Sequence, residues 1–182
     1  MKRRTFLAAP ALAFAQYEES KGDVPWVPTP DEVIDAMMRV ARATPRDTVL
    51  DLGSGDGRVL IYSALKFGTR GIGVEIEGHR VAEARAEAGK AGVSAKVRFV
   101  EQDFFKTDVS EATIVFMYLF TAVMGKLKPK LLAELKPGAR VVAYQFNGMG
   151  DWKPKKIIRS FHHPIFYWEV PRLRPAKARA TK

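Results

Sequence analysis

The run Thr48-Val49-Leu50-Asp51-Leu52-Gly53-Ser54-Gly55-Asp56-Gly57-Arg58 decides the fold. An apolar, β-branched stretch that stops at a carboxylate and then meets glycines at alternate positions reads as a strand entering a tight loop. From Arg58 to Phe67 apolar residues return at helical spacing, which predicts a helix over about 57–67. Glycine has no Cβ, so such a loop can bring bare backbone N–H groups against a ligand at the start of that helix.

The spacing is G-x-G-x-G, not the G-x-G-x-x-G of dinucleotide binders, and Asp51 precedes the first glycine. A diphosphate would be repelled by Asp51, whereas a ligand with an ammonium group would be attracted. The loop Gly53, Ser54, Gly55, Asp56 and Gly57 is therefore expected to hold S-adenosylmethionine rather than NAD.

Outward from this loop the pattern alternates. Strands are expected at Thr48–Leu52, Gly71–Glu75, Lys96–Val100, Thr113–Tyr118 and Arg140–Phe146, with helices at about 78–91 and 121–135, the last broken at Pro129. Apolar strands separated by helices predict an α/β fold, a single doubly wound and mostly parallel sheet covered on both faces. The chain closes differently: Ile157 to His163, Pro164, then Ile165 to Val170 reads as an antiparallel hairpin, which brings the sheet to seven strands. Upstream, three prolines in Val24-Pro25-Trp26-Val27-Pro28-Thr29-Pro30 make a stiff, extended segment. Thr29-Pro30-Asp31-Glu32 then resembles a capping box, with Val33, Ile34, Met37, Met38 and Ala41 as the apolar stripe of the helix that follows.

At 182 residues the chain holds one domain with a real core, expected over 24–170. It has no cysteine, hence no disulfide or thiolate chemistry. The first fifteen residues resemble a signal peptide: Lys2-Arg3-Arg4, an apolar stretch to Phe14, and Ala13-Phe14-Ala15 ahead of Gln16. Arg3-Arg4-Thr5-Phe6-Leu7 is twin-arginine-like, a route that carries folded proteins. Export to the periplasm is the expectation, with a cytoplasmic location as the alternative. Net charge is +10, and residues 171–182 form a basic tail suited to an acidic protein or anionic lipid surface. That tail lacks interleaved aromatics, so no specific nucleic-acid partner is expected. Adjacent His162 and His163 point to opposite faces of a strand, and no metal site is expected.

Two further carboxylates complete the ligand constellation. Glu75 ends the second strand, where a carboxylate can accept the ribose hydroxyls in a doubly wound sheet. Asp103 follows the third and could accept from an adenine amine, with Ile76 and Phe104 walling the ring. An acidic lining suits a ligand that carries both a sulfonium and an ammonium.

These residues resemble the class I S-adenosylmethionine-dependent methyltransferases. More narrowly, they resemble the small archaeal and bacterial protein-lysine methyltransferases related to the mitochondrial enzyme that methylates an ATP-synthase subunit lysine. The likeness extends beyond the glycine loop to residues 24–30, Gly73-Val74-Glu75-Ile76, Phe104-Phe105, Leu127-Lys128-Pro129-Lys130-Leu131, Leu135-Lys136-Pro137-Gly138 and Trp152-Lys153-Pro154-Lys155. It implies a Rossmann-like methyltransferase fold with its last strand inserted antiparallel near the sheet edge, S-adenosylmethionine as cofactor, and a protein lysine as acceptor. Two places depart from the pattern: an export-like leader, because the cofactor is cytosolic, and Tyr144-Gln145 before Phe146, where the family shows a His-Glu pair, which bears on whether the acceptor carries over.

A lysine acceptor must arrive neutral, so desolvation that lowers its pKa from about 10.4 matters more than a strong base. The resemblance places the acceptor site beyond the fourth strand, at Tyr118, expected to be catalytic, and Phe120. Trp26, Pro28 and Thr29 would cover the cofactor, Thr29 touching it, and narrow the entrance. The sequence Met117-Tyr118-Leu119-Phe120 is not the Asn/Asp-Pro-Pro-aromatic signature of many base methyltransferases. With no second domain to enclose a metabolite, a protein acceptor is the leading expectation. The alternatives are a small-molecule or lipid methyltransferase and a non-catalytic S-adenosylmethionine-binding protein; oligomeric state is left open.

Overall fold

In the computed structural model, which describes residues 27–159 and 163–172, α1 (Asp31–Val40) leads into β1 (Thr48–Leu52), α2 (Arg58–Phe67), β2 (Arg70–Glu75), α3 (Gly78–Lys90) and β3 (Val97–Glu101). β4 (Ile114–Met117), α4 (Thr121–Glu134), β5 (Arg140–Tyr144), β6 (Lys156–Arg159) and β7 (Pro164–Glu169) follow. The seven strands lie in the order β3-β2-β1-β4-β5-β7-β6. The first five pair in parallel, and β7 runs antiparallel between β5 and β6. The expected topology is the observed one.

Alternation along each strand divides the core into two layers. Val49, Ile114, Phe116, Val142 and Tyr144 join Ile34, Met37 and Met38 of α1 and Leu60 of α2 on one face, where Val81 and Ala84 of α3 also pack. Leu50, Leu52, Val115, Met117, Val141 and Ala143 face Met124, Leu127 and Leu131 of α4 on the other. Chain order reverses direction between β1 and β4, so a crevice opens at their carboxyl ends, the place where such sheets bind ligands.

Several local expectations are corrected. α4 is not broken at Pro129. An internal proline costs a helix about 3 kcal/mol. Val123, Met124, Leu127 and Leu131 bury apolar surface on both sides of it, each worth roughly 1.5–3 kcal/mol, and together they outweigh that cost. The capping box does not form: Pro30 is extended (ψ 146°), so α1 starts one residue later and Pro30, which offers no side-chain cap, is its N-cap. The α1 stripe is as expected, with Val33, Ile34, Met37, Met38 and Ala41 all buried. β5 stops at Tyr144, short of Phe146, because Gln145 turns to φ +67°. Pro164 begins β7 instead of forming the hairpin turn, a position where its missing N–H costs no ladder bond.

The signal-like leader, Trp26, His162 and residues 173–182 of the tail lie outside the described residues. Among the described residues no helix is long and apolar enough to cross a membrane.

Candidate active site

The glycine loop leaves β1 and folds back on β2. Gly53 and Ser54 donate their N–H groups to the Val74 carbonyl at 2.8 and 3.0 Å, and Gly57 N–H closes onto Ser54 at 2.9 Å. Gly57 is left-handed (φ +80°), and a Cβ there would lie 2.6 Å from the Phe99 ring. Gly73 on β2 is equally tight, since a Cβ would meet Phe99 at 2.5 Å and Ser54 Oγ at 2.7 Å. Both glycines let the loop press down on the sheet.

Glu75 braces this loop from below. Its Oε2 accepts from Gly55 N–H at 2.9 Å, and its Oε1 accepts from Ile76 and Glu77 N–H at 2.8 and 3.1 Å. The acid expected to hold a ribose is therefore buried and also sets the loop's shape. Asp56 pairs with Arg58 at 2.6 Å, which holds its charge at the start of α2.

Asp51 differs from both. It is 3% exposed, and its carboxylate accepts no hydrogen bond and forms no ion pair among the described residues. Burial, then the charges of Glu75 and Asp56, push its carboxyl up to about 8. A buried acid without a partner is what a cationic group would relieve. Ser54 Oγ is likewise buried with no hydrogen-bond partner. These two atoms fit a ligand bearing an ammonium and hydrogen-bonding groups, as S-adenosylmethionine does.

Other expected residues are more loosely placed. Thr29 is buried just ahead of α1, and Pro28 beside it is exposed. Ile76 is exposed beyond β2. Asp103 turns its own loop, accepting from Phe105 N–H at 2.9 Å, while Phe104 packs on Phe105 with ring centroids 4.9 Å apart.

Across the crevice, at the ends of β4 and β5, the character changes. The Tyr118 ring stands edge-on to Tyr144 at 5.0 Å and stacks on Phe146 at 6.2 Å, and Phe120 meets Phe146 edge-on at 5.3 Å. The Tyr118 hydroxyl donates to Gln145 Oε1 at 2.8 Å. From sequence, Tyr144-Gln145 before Phe146 stood out only as a departure from the resembled family, not as partners of Tyr118. Their pattern Tyr-Gln-Phe at a strand end carried no motif, and only pairing β4 with β5 brings them to Tyr118.

Residues 51–156 match the model of the ANTKMT methyltransferase domain family. The chain belongs to this family. A protein-lysine N-methyltransferase of Saccharolobus islandicus is 43% identical over 152 residues, covering 81% of this chain and 94% of the relative. The adenine nucleotide translocase lysine N-methyltransferase of mouse is 35% identical over 81% of this chain, which spans 63% of that relative's length. Among solved structures, an RNA methyltransferase from Salinibacter ruber in complex with S-adenosyl-L-homocysteine superposes with a TM-score of 0.79 at 41% identity, covering 82% of this chain and 97% of that one. The family match extends from Asp51 through β5, so it contains both the acidic and the aromatic halves of the crevice.

Proposed function

We propose that this protein is an S-adenosylmethionine-dependent protein-lysine N-methyltransferase. The observation that carries the reading is the pairing of the two halves of the crevice. A buried carboxylate without a partner among the described residues stands near the end of β1, and an aromatic cluster stands at the ends of β4 and β5. The 43% identity to a protein-lysine N-methyltransferase over nearly all of that relative's length supports the same acceptor.

The residues divide the work accordingly. Asp51 would hold the amino-acid ammonium of S-adenosylmethionine, the Gly53–Gly57 loop its polar backbone, and Glu75 its ribose hydroxyls. Bound there, S-adenosylmethionine supplies an electrophilic methyl group activated by the adjacent sulfonium. Tyr118, Phe120, Tyr144 and Phe146 would surround the lysine side chain with low-polarity surface. Desolvation disfavours the ammonium form, so the amine would give up its proton to solvent water on entering and be neutral when it is aligned for in-line attack. Trp26, Pro28 and Thr29 precede α1 and would close the entrance.

The Salinibacter ruber relative is named for RNA, which makes RNA the second acceptor to test. Against it stands Met117-Tyr118-Leu119-Phe120 at the end of β4, which is not the Asn/Asp-Pro-Pro-aromatic signature of many base methyltransferases. Full-length protein incubated with methyl-labelled S-adenosylmethionine and cell extract distinguishes the acceptors. Label recovered as methyl-lysine after protein hydrolysis supports the proposal. Label confined to RNA, lipid or small molecules overturns it, and tight binding without transfer to any fraction would leave a non-catalytic binding protein.

For the amino terminus the export reading stands as part of the proposal. A native protein beginning at Gln16 supports it, and one that retains residues 1–15 in the cytoplasm overturns it.

A further inference from the structure

Two non-glycine residues among those described have left-handed backbone, Arg42 at φ +53° and Gln145 at φ +67°. A side chain makes this conformation unfavourable, and residues that keep it either complete a structural motif or serve a site. Arg42 completes a motif. Ala43 N–H returns to Met38 at 2.9 Å and Arg42 N–H to Arg39 at 3.0 Å, the paired bonds that close a helix end. Gln145 closes no helix. Its N–H donates to the Pro164 carbonyl at 2.8 Å, and Phe146 N–H folds back onto the Tyr144 carbonyl at 2.8 Å, making a tight three-residue turn. That turn carries the Gln145 amide to Tyr118, whose hydroxyl donates to Oε1 at 2.8 Å.

The geometry points to Gln145 as a positioning residue that commits the Tyr118 proton, so that Tyr118 meets an incoming amine as a hydrogen-bond acceptor only. The inference rests on placing Tyr118 in the acceptor site. A neutral amine carries two N–H groups and one lone pair, and the lone pair must stay free to attack. A phenol free to turn could donate to that lone pair and block it. With its single proton directed at Gln145, the Tyr118 oxygen can engage the amine only through N–H, which leaves the lone pair turned elsewhere. An amide suits this task better than a carboxylate, because a negative charge here would stabilise the protonated, unreactive amine.

The test uses full-length protein, labelled S-adenosylmethionine and the protein acceptors of a cell extract, with rates measured across pH. Tyr118→Phe and Gln145→Leu should each slow transfer about tenfold, the worth of one well-placed hydrogen bond, and the double variant no more than either alone. Affinity for S-adenosylmethionine, measured by calorimetry, should stay within about twofold. Gln145→Gly should slow transfer as much as Gln145→Leu while melting at a higher temperature than Gln145→Leu, because both lose the bond to Tyr118 but glycine accepts φ +67° without strain. Gln145→Glu keeps an acceptor oxygen and should recover most of the rate, with the rising limb of its pH profile moved to higher pH. Gln145→Leu or Gln145→Gly at the wild-type rate, or a loss that merely follows melting temperature, overturns the role of Gln145. Wild-type transfer by Tyr118→Phe instead overturns the acceptor-site placement on which the inference rests.

Discussion

Asp47, just ahead of β1, and Asp51, near the far end of that strand, stand four residues apart and are both buried, yet they are opposite in character. Asp47, ahead of β1, accepts from Thr44 N–H at 2.8 Å, Thr44 Oγ1 at 2.9 Å and Thr113 Oγ1 at 2.8 Å, and pairs with Arg140. Burial pushes its carboxyl up, but these bonds outweigh burial and hold it below the usual range. Asp51, near the other end, has burial and like charges with nothing to oppose them, and rises to about 8. The contrast separates structure from function on physical grounds. A buried carboxylate supplied with donors ties the helix α1 end, β1, β4 and β5 together; one left without donors is kept for a ligand.

The largest expected effect comes from the supplied end. Asp47→Ala would leave the part-buried Arg140 guanidinium without its counter-charge, holding only backbone carbonyls, and the Thr113 hydroxyl without its acceptor, a loss of about 3 kcal/mol of stability. Urea denaturation measures it, and S-adenosylmethionine affinity at temperatures where the variant stays folded should be unchanged. Reduced affinity in a fully folded Asp47→Ala protein would mean that the two ends are coupled through β1.

Asp51→Asn should do the reverse. Affinity for S-adenosylmethionine should fall roughly 10- to 100-fold, the worth of a charged hydrogen bond, while the ligand-free protein gains stability at alkaline pH. The sign follows from linkage. Between the ordinary carboxyl value of 3.8 and about 8 the folded state holds a proton that the unfolded state has released, so wild-type stability falls as pH rises through that window. The melting-temperature advantage of Asp51→Asn should therefore be small near pH 4, grow with pH, and level off above 8. A binding cation favours ionised Asp51, so binding near pH 7 should release a proton, measurable by calorimetry in buffers of different ionisation enthalpy. An advantage independent of pH would deny Asp51 its raised value.

The acidic half of the crevice was legible because its signals are local. Glycine spacing and an acid at each of three strand ends survive in a one-dimensional string, and so do the seven strands. The aromatic half was legible at Tyr118 and Phe120 through resemblance, and at Tyr144-Gln145 only as a departure from it. Tyr144, Gln145 and Phe146 lie 26 to 28 positions further along and meet Tyr118 only once β4 and β5 pair, and a left-handed glutamine has no composition signature. The Asp47 network escaped notice for the same reason, since Thr113 and Arg140 are 66 and 93 residues away. Pro129 misled in the opposite direction: a strong local signal was outweighed by burial on both sides of it.

The smallest effect sharpens the comparison most. Thr113 receives the Thr48 N–H at 3.0 Å while donating to Asp47, so it links β1, β4 and the carboxylate with one hydroxyl. Thr113→Val keeps the shape and removes both bonds, a loss of about 1–2 kcal/mol. With one donor gone, Asp47 should titrate closer to the ordinary carboxyl value. Its contribution to stability, which is complete above that value and is lost as pH falls through the depressed one, should then begin to disappear at a higher pH during acid unfolding. Acid-unfolding midpoints of wild type and Thr113→Val read this directly, while S-adenosylmethionine affinity should not move. A Thr113→Val protein that resists acid as well as wild type would show that Arg140 and Thr44 alone satisfy Asp47, and that the difference between the two ends of β1 does not need the Thr113 hydroxyl.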